Sequence, residues 1–468
     1  MRAPDWPSPN PLPLEPSIEQ WTELTRLVEG FLANELSQLG KKPVLSQSDP
    51  ILSQNDKDEL MSSLPLSEWL GHLINSGFNT AHPGFLAFIP GGGLVTSALA
   101  DWIVKTTNRY GTAHFASPLL TELEHRVIKT FAAWVGYDDN AAGVLTTGGS
   151  LANFTALVTA RRTKLPEDFL SGVLYCSNQT HHSVMKAANL AGFSTRNIRI
   201  LASDEQFKIV PSQLKKQIAE DRCAGLQPFM VIASAGTTNT GSIDPLVELG
   251  DISRDEDLWY HVDGAYGGAF ILTPAGKHLL KGIETADSIT LDPHKGLFLP
   301  YGTGCILVKD RNKLINAHEM RGDYMPDLDR ERAHLDPLSM SVELSREHRG
   351  LKIALPLILH GVQAFADALT EKLELSQVLY EALINIPELE VLNKPELTTI
   401  AFRMTGKKEA ENKALMDAIN AGGKVYLSGT VLSEEFALRV SILSHRTHAA
   451  EIESVISELQ RCLHGSPD

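Results

Sequence analysis

The chain reads as an α/β fold: a mostly parallel central sheet, an N-terminal helical segment and a smaller C-terminal α+β domain. Three observations carry that expectation. From about residue 95 to about residue 350, short apolar runs alternate with longer stretches of helical spacing, the pattern of strands joined by right-handed crossovers. Ahead of them, a helical stripe follows a proline-rich start. Behind them, a long helical region leads to further strands and a closing helix. The expected division is 1–94, 95–350 and 351–468.

After Pro7-Ser8-Pro9-Asn10-Pro11-Leu12-Pro13, Ser17-Ile18-Glu19-Gln20 forms a capping box, in which serine and glutamine side chains satisfy each other's free N–H groups. Ile18, Trp21, Leu24, Val28, Phe31 and Leu32 then follow one helical stripe. In the central region Gly143-Val144-Leu145-Thr146 is a short strand, Thr147-Gly148-Gly149-Ser150 a tight turn, and residues 151–158 continue at helical spacing. Val173-Leu174-Tyr175-Cys176-Ser177 is a second strand, and Thr180-His181-His182-Ser183 leads into a helix. Residues 230–235 form an apolar strand that runs into the polar loop Gly236-Thr237-Thr238-Asn239-Thr240-Gly241. Strands at 259–263 and 288–291 complete the central set. Past residue 351 come strands within 389–403, a Gly422-Gly423 turn, the strand Leu438-Arg439-Val440-Ser441, and a helix with Ile452, Val455, Ile456 and Leu459 on one face.

Composition narrows the function classes. A hydrophobic content of 43% supports a large core, and a net charge of −15 without any Lys/Arg run argues against nucleic-acid or anionic-membrane partners. The cysteines at 176, 223, 305 and 462 form no CxxC pair, which suits a reducing, cytoplasmic compartment. The N-terminus is proline-rich and acidic, so no signal peptide is expected. The most apolar helical stretch, 353–362, contains Pro356 and His360 and is far short of the roughly 20 residues needed to span a bilayer. No HExxH and no cysteine cluster accompanies the His181-His182 pair, so no metal site is expected.

Ser288-Ile289-Thr290-Leu291-Asp292-Pro293-His294-Lys295-Gly296 carries the most chemical information. A strand ends in Asp-Pro, then presents a histidine and a lysine side by side, followed by a glycine that lets a ligand come close. Lysine in that setting is suited to an imine with an aldehyde cofactor. Upstream, Trp259-Tyr260-His261-Val262-Asp263-Gly264-Ala265-Tyr266 is another strand ending in a carboxylate. Pyridoxal phosphate needs both groups: a lysine for the Schiff base and an acid to keep the pyridine nitrogen protonated.

Each residue alone is commonplace, but the other parts of such a site recur in order. The Gly148-Gly149-Ser150 turn points backbone N–H groups at one spot, at the positive end of a helix dipole, which suits a phosphate. It is neither a GxxxxGK[ST] loop nor a GxGxxG fingerprint, so a nucleotide is a weak reading. An imidazole at His181 can lie flat on a cofactor ring. The threonines of 237–240 can donate to a phosphate or a phenolic oxygen.

In this order the motifs resemble the group II pyridoxal phosphate-dependent decarboxylases, the family of aromatic L-amino acid decarboxylase and, more distantly, glutamate decarboxylase. His82-Pro83-Gly84-Phe85, Ala116-Ser117-Pro118 with Thr121-Glu122-Leu123-Glu124, the His261–Tyr266 run and Asp292-Pro293-His294-Lys295 carry the resemblance, from about Pro7 to about Leu463. It implies the fold type I, PLP-dependent transferase-like architecture, pyridoxal 5'-phosphate as cofactor, and a homodimer with the active site at the subunit interface. It also implies roles: Lys295 as the Schiff-base lysine, His294 as its neighbour on the phosphate, Asp263 on the pyridinium, and Ala265 on the ring. His181 would stack on the other face, Gly148, Gly149 and Ser150 cup the phosphate, and Thr238 sit beside the cofactor. Tyr324 matches the tyrosine of the family's mobile catalytic loop. Arg439 matches an arginine that in relatives reaches toward the substrate carboxylate.

The same resemblance places the substrate side chain between the segment of His82, Phe88, Ile89 and Gly91 and, across the dimer, Tyr110, Thr112 and His114. Phe88 and Ile89 suit a ring. Tyr110, Thr112 and His114 are more polar than the aromatic-substrate pattern, and Ser345 leans phenolic, so a tyrosine- or dopa-like L-amino acid is expected. Acidic and diamino acids stay open. The competing readings are an aldehyde synthase or carbon–carbon lyase of the same fold, and a non-catalytic assembly partner. Tyr324 and His181 argue against the aldehyde synthases, in which one of those positions is often changed. An intact Asp263, Lys295, His294 and His181 set argues against a purely structural role.

Overall fold

Strand burial explains why the central region reads as it does. The structure, a computed structural model, describes residues 12–46, 65–319 and 335–464. Within them, β1 Ala142–Thr146, β2 Gly172–Ser177, β3 Ile198–Leu201, β4 Gln227–Ser234, β5 Trp259–Asp263, β6 Ser288–Leu291 and β7 Gly304–Val308 form one sheet in the order β1-β7-β6-β5-β4-β2-β3. β1, β2, β5, β6 and β7 are buried along their whole length, so they appear as unbroken apolar runs rather than alternating ones. β2, β3, β4, β5 and β6 pair in parallel, as the crossover pattern predicts, whereas β7 is antiparallel to both β6 and β1. Fold type I with a mostly parallel sheet is therefore the observed architecture.

A second sheet, entirely antiparallel, has the order β10-β11-β9-β8, from β8 Leu389–Val391, β9 Thr399–Met404, β10 Ser428–Leu432 and β11 Glu435–Ser441. Its core joins Phe402, Leu438 and Val440 to Ile452, Val455 and Leu459 of the closing helix Ala449–His464. The stretch around Phe85 is bonded to this unit: Leu86 N donates to Tyr426 O at 3.0 Å, and Ser441 N to Leu86 O at 2.9 Å. The chain then passes to the large sheet at Gly91, where an added Cβ would lie 1.8 Å from His294 O. The stretch from Phe85 to Gly91 thus links the small sheet to the backbone of the lysine turn.

Helix Ile18–Gln38 has its capping box, with Ser17 N donating to Gln20 Oε1 at 2.9 Å and Gln20 N to Ser17 Oγ at 3.3 Å, yet none of its residues is buried. The long helix Gly350–Ile384 is apolar and long enough, by length and composition, to cross a membrane. It is broken at Gly361 (φ 73, ψ 155), buries Lys372 completely, and packs on the helices Val95–Thr107 and Pro118–Trp134 of the same fold. All four cysteines are free thiols.

Candidate active site

Five strand ends of the large sheet meet at one edge, where the loops after parallel strands collect. They surround a cavity of about 260 Å³. Nine of the residues expected there line it together: Gly148, Gly149, Ser150, His181, Thr238, Asp263, Ala265, His294 and Lys295.

After β1 the chain turns at Gly148 and starts the helix Gly149–Lys164, whose first N–H groups have no intrahelical partner and mark its positive end. Thr146 Oγ1 donates to Gly148 O at 3.0 Å and steadies the turn. Close approach requires glycine here. A Cβ on Gly149 would lie 2.9 Å from Asp292 Oδ2, and one on Gly304 of β7 would lie 2.5 Å from the Gly148 backbone.

After β6 a single helical turn, Pro293–Gly296, places His294 and Lys295 on the cavity wall. Lys295 Nζ lies 3.0 Å from Asp292 Oδ2, and His294 Nε2 lies 3.6 Å from the same oxygen. His294 Nδ1 donates to Thr303 O at 2.6 Å, because a carbonyl can only accept. Asp292 Oδ1 is buried without a hydrogen-bond partner among the described residues, so this wall lacks one polar contact.

Asp263 ends β5. Its Oδ1 accepts the Ala265 N–H at 3.1 Å and its Oδ2 accepts Asn153 Nδ2 at 2.8 Å. His181 caps the helix His182–Leu190 by accepting the Ser183 N–H on Nδ1 at 3.3 Å, with Ser183 Oγ 2.8 Å from the same nitrogen. Burial pushes the His181 pKa below the ordinary imidazole value, against the opposing pull of Asp263, so the ring is neutral at physiological pH. Thr237 Oγ1 bonds Thr240 Oγ1 at 2.8 Å and accepts Ser242 N–H at 3.1 Å, which holds the loop that shows Thr238 to the cavity.

A lysine amine, a buried acid, a neutral imidazole and a helix N-terminus around one cavity fit the aldehyde, ring nitrogen, ring face and phosphate of pyridoxal phosphate. The conserved domain of the pyridoxal-dependent decarboxylases matches residues 53–405. The chain belongs to the pyridoxal-dependent decarboxylase family. The decarboxylase is 35% identical over 464 residues to an aromatic-L-amino-acid decarboxylase of Bacillus atrophaeus, covering 96% of each chain. Among solved structures it resembles Oryza sativa TDC with PLP and tryptamine, with a TM-score of 0.89, 25% identity, and coverage of 97% of this chain and 99% of that one. It also resembles Rhodiola rosea 4-hydroxyphenylacetaldehyde synthase, with a TM-score of 0.85, 25% identity, and coverage of 97% and 99%. It is a pyridoxal phosphate-dependent carboxy-lyase of amino acid metabolism.

The residues expected on the substrate stand apart from this cavity within one chain, and Tyr110, Thr112 and His114 are expected from the partner subunit. None of His82, Phe88, Ile89, Tyr110, Thr112, Ser345 and Arg439 lines the decarboxylase's cavity within one chain. His82 is buried with Nδ1 accepting Gly84 N–H at 2.9 Å, Ile89 packs in the main core, and Thr112 is fully buried. Phe88, Tyr110 and Ser345 are on the surface instead. The buried Arg439 guanidinium donates to Phe88 O at 2.8 Å and Ser428 Oγ at 3.1 Å, because a charge out of water must place its N–H groups on nearby acceptors. That burial lowers its pKa to about 10. Gly91 and His114 are likewise absent from the lining. Tyr324 lies outside the described residues.

Asn153 and Asp292 are among the lining residues to which the motifs assign no role. Asn153 had one legible signal. It shares a helix face with Gly149, Ala156, Leu157 and Ala160, all buried, and a polar side chain at a core position must have partners.

Proposed function

We propose that the decarboxylase converts an aromatic L-amino acid with a phenolic ring, tyrosine- or dopa-like, to the amine and carbon dioxide, as a cytoplasmic homodimer. The observation that carries this reading is the single cavity shared by Lys295, Asp263 and His181. Pyridoxal phosphate bound there supplies an electron sink for the bonds at the amino acid's Cα. Lys295 would carry its aldehyde carbon, Asp263 its ring nitrogen, and the Gly149–Ser150 N–H groups with His294 its phosphate.

The chain's own residues orient groups and control protons. Asp263 is fixed by two donors before any ligand arrives, so no reorganisation is needed to face a protonated ring nitrogen. His181, neutral through burial, covers a ring face and excludes water without adding a positive charge. Fixing the substrate's orientation against the cofactor ring would select which bond at Cα breaks, which is catalysis by orientation. The proton that replaces the carboxylate at Cα is assigned to Tyr324.

The surface residues support the dimer. Helix Ile18–Gln38 buries nothing in its own chain, and Leu99, Trp102 and Ile103 of helix Val95–Thr107 are 48%, 42% and 52% exposed. Phe88 stands at φ 54 with its ring exposed, 6.1 Å from Phe78 and 6.3 Å from Phe85. Tyr110 Oη donates to Leu344 O at 3.4 Å, which sets Tyr110 and Ser345 near each other on the surface, where a second subunit would offer their hydroxyls to a ring bearing one. The Bacillus atrophaeus relative is named for aromatic L-amino acids and the Oryza sativa structure holds tryptamine, which favours an aromatic substrate. Similarity to the Rhodiola rosea synthase favours a second reading, aldehyde formation, against which the unchanged His181 and Tyr324 stand. Carbon dioxide release over an amino-acid panel, with amine and aldehyde quantified, tests both. Turnover of glutamate or a diamino acid in place of tyrosine and dopa would refute the proposal.

A further inference from the structure

Asn153 uses the full hydrogen-bonding capacity of a primary amide while only 3% exposed. Its Oδ1 accepts from Thr290 Oγ1 at 2.7 Å and lies 3.1 Å from His261 Nε2. Its Nδ2 donates to Asp263 Oδ2 at 2.8 Å and Ser183 Oγ at 3.0 Å. The amide cannot be flipped, because that would set an oxygen against the acceptor-only Asp263 carboxylate.

Proton directions along this chain follow from both ends. Trp259 Nε1 can only donate, and it does so to Ser288 Oγ at 2.8 Å. Asn153 Oδ1 can only accept, so His261 carries its proton on Nε2, and its Nδ1 takes the Ser288 hydroxyl proton, also at 2.8 Å. At the far end Ser183 Oγ already receives the Asn153 N–H. The Ser183 backbone N–H can only donate, so the His181 Nδ1 it faces is an acceptor and takes the Ser183 hydroxyl proton as well. Nδ1 of His181 is fully used as an acceptor.

We propose that Asn153 is a positioning residue for the decarboxylation: it locks Asp263 and His181 into one hydrogen-bonded unit and, together with the Ser183 backbone N–H, fixes the His181 proton on Nε2. The two groups that would grip opposite parts of the cofactor ring are then set by a single side chain that touches neither reacting bond. Burial, the largest influence on His181, supports this by disfavouring a second proton, with Asp263 and Asp292 pulling the other way and Lys295 and His182 adding to it. The inference rests on pyridoxal phosphate sitting between Asp263 and His181, but the tautomer is a property of the empty protein too, so the two ideas fail separately.

The test is nitrogen-15 NMR of histidine-labelled protein, with and without pyridoxal phosphate, the His181 signals identified by their loss in His181→Gln. Wild type is expected to show His181 protonated on Nε2 in both states, and Ser183→Ala to show a mixture of tautomers while keeping the visible absorption of the loaded protein. Asn153→Ala is expected to raise the cofactor dissociation constant about 10- to 100-fold, the range for losing a hydrogen bond to a charged group, whereas Thr290→Val changes it less than about threefold. A His181 proton on Nδ1 in wild type overturns the proposal. So does Asn153→Ala that is merely less heat-stable, with cofactor affinity and His181 shifts unchanged. Should Asn153→Ala fail to fold, unchanged His181 shifts in Ser183→Ala overturn it equally.

Discussion

Moving from about pH 7 to about pH 5 should weaken the fold by about 2 kcal/mol through His318 alone. His318 ends the helix Arg311–His318 and is 8% exposed. Thr159 Oγ1 spends its proton on Thr155 O at 2.7 Å, so His318 Nε2 donates to Thr159 at 3.0 Å. Burial, reinforced by the nearby Arg162, lowers its pKa from 6.5 to about 4. Because the folded value is depressed, the unfolded chain binds the extra proton between those two values. The stabilisation is complete above about pH 6.5 and is lost as pH falls toward about 4, at roughly 1.4 kcal/mol per pH unit. The full window is worth about 3 kcal/mol, of which about 2 falls between pH 7 and 5. Urea denaturation of wild type and His318→Gln at both pH values, followed by circular dichroism, isolates this group, since glutamine still donates to Thr159 but does not titrate. Wild type should lose about 2 kcal/mol more than the variant. Equal losses in the two proteins would refute the reasoning.

Three further outcomes follow from the site. Lys295→Ala, mixed with pyridoxal phosphate, should show neither the visible absorption of a lysine-bound aldehyde nor carbon dioxide release; a yellow variant would remove Lys295 from its assigned role. Gly149→Ala puts a methyl 2.9 Å from Asp292 Oδ2 and 3.3 Å from Ala265 Cβ, and should weaken cofactor binding by about tenfold, about 1.4 kcal/mol, in a fluorescence titration; unchanged affinity would mean the turn does not hold the phosphate. Tyr324→Phe should lose amine and gain aldehyde by chromatography of the products, and normal amine output would show that another group protonates Cα.

Local signals were sufficient for much of this molecule. The strand ends at Thr146, Ser177, Asp263 and Leu291 were legible because each is a short apolar run stopped by glycine, proline or a polar turn. The capping box at Ser17 and the face of Ile452, Val455 and Leu459 were legible for the same reason: they depend on neighbours within one or two turns. The antiparallel placement of β7 between β1 and β6 was not, because strand direction leaves no mark on a fully buried apolar run.

Sequence alone marked out the residues proposed for the lysine link, the ring nitrogen and the phosphate, because side-chain type at the ends of recognisable strands and the order of the motifs are both local properties. Tertiary structure alone decided which residues support them. Asn153 acquires its role only when β5, β6 and the helix Gly149–Lys164 bring Asp263, His261 and Thr290 within 3.1 Å of one amide. Arg439 finds Phe88 O and Ser428 Oγ only when β11 packs beside the segment of Phe88. Hydrogen bonds are short-ranged and directional, so partners more than a hundred residues apart in the chain are chosen by the packing of whole elements and not by local pattern.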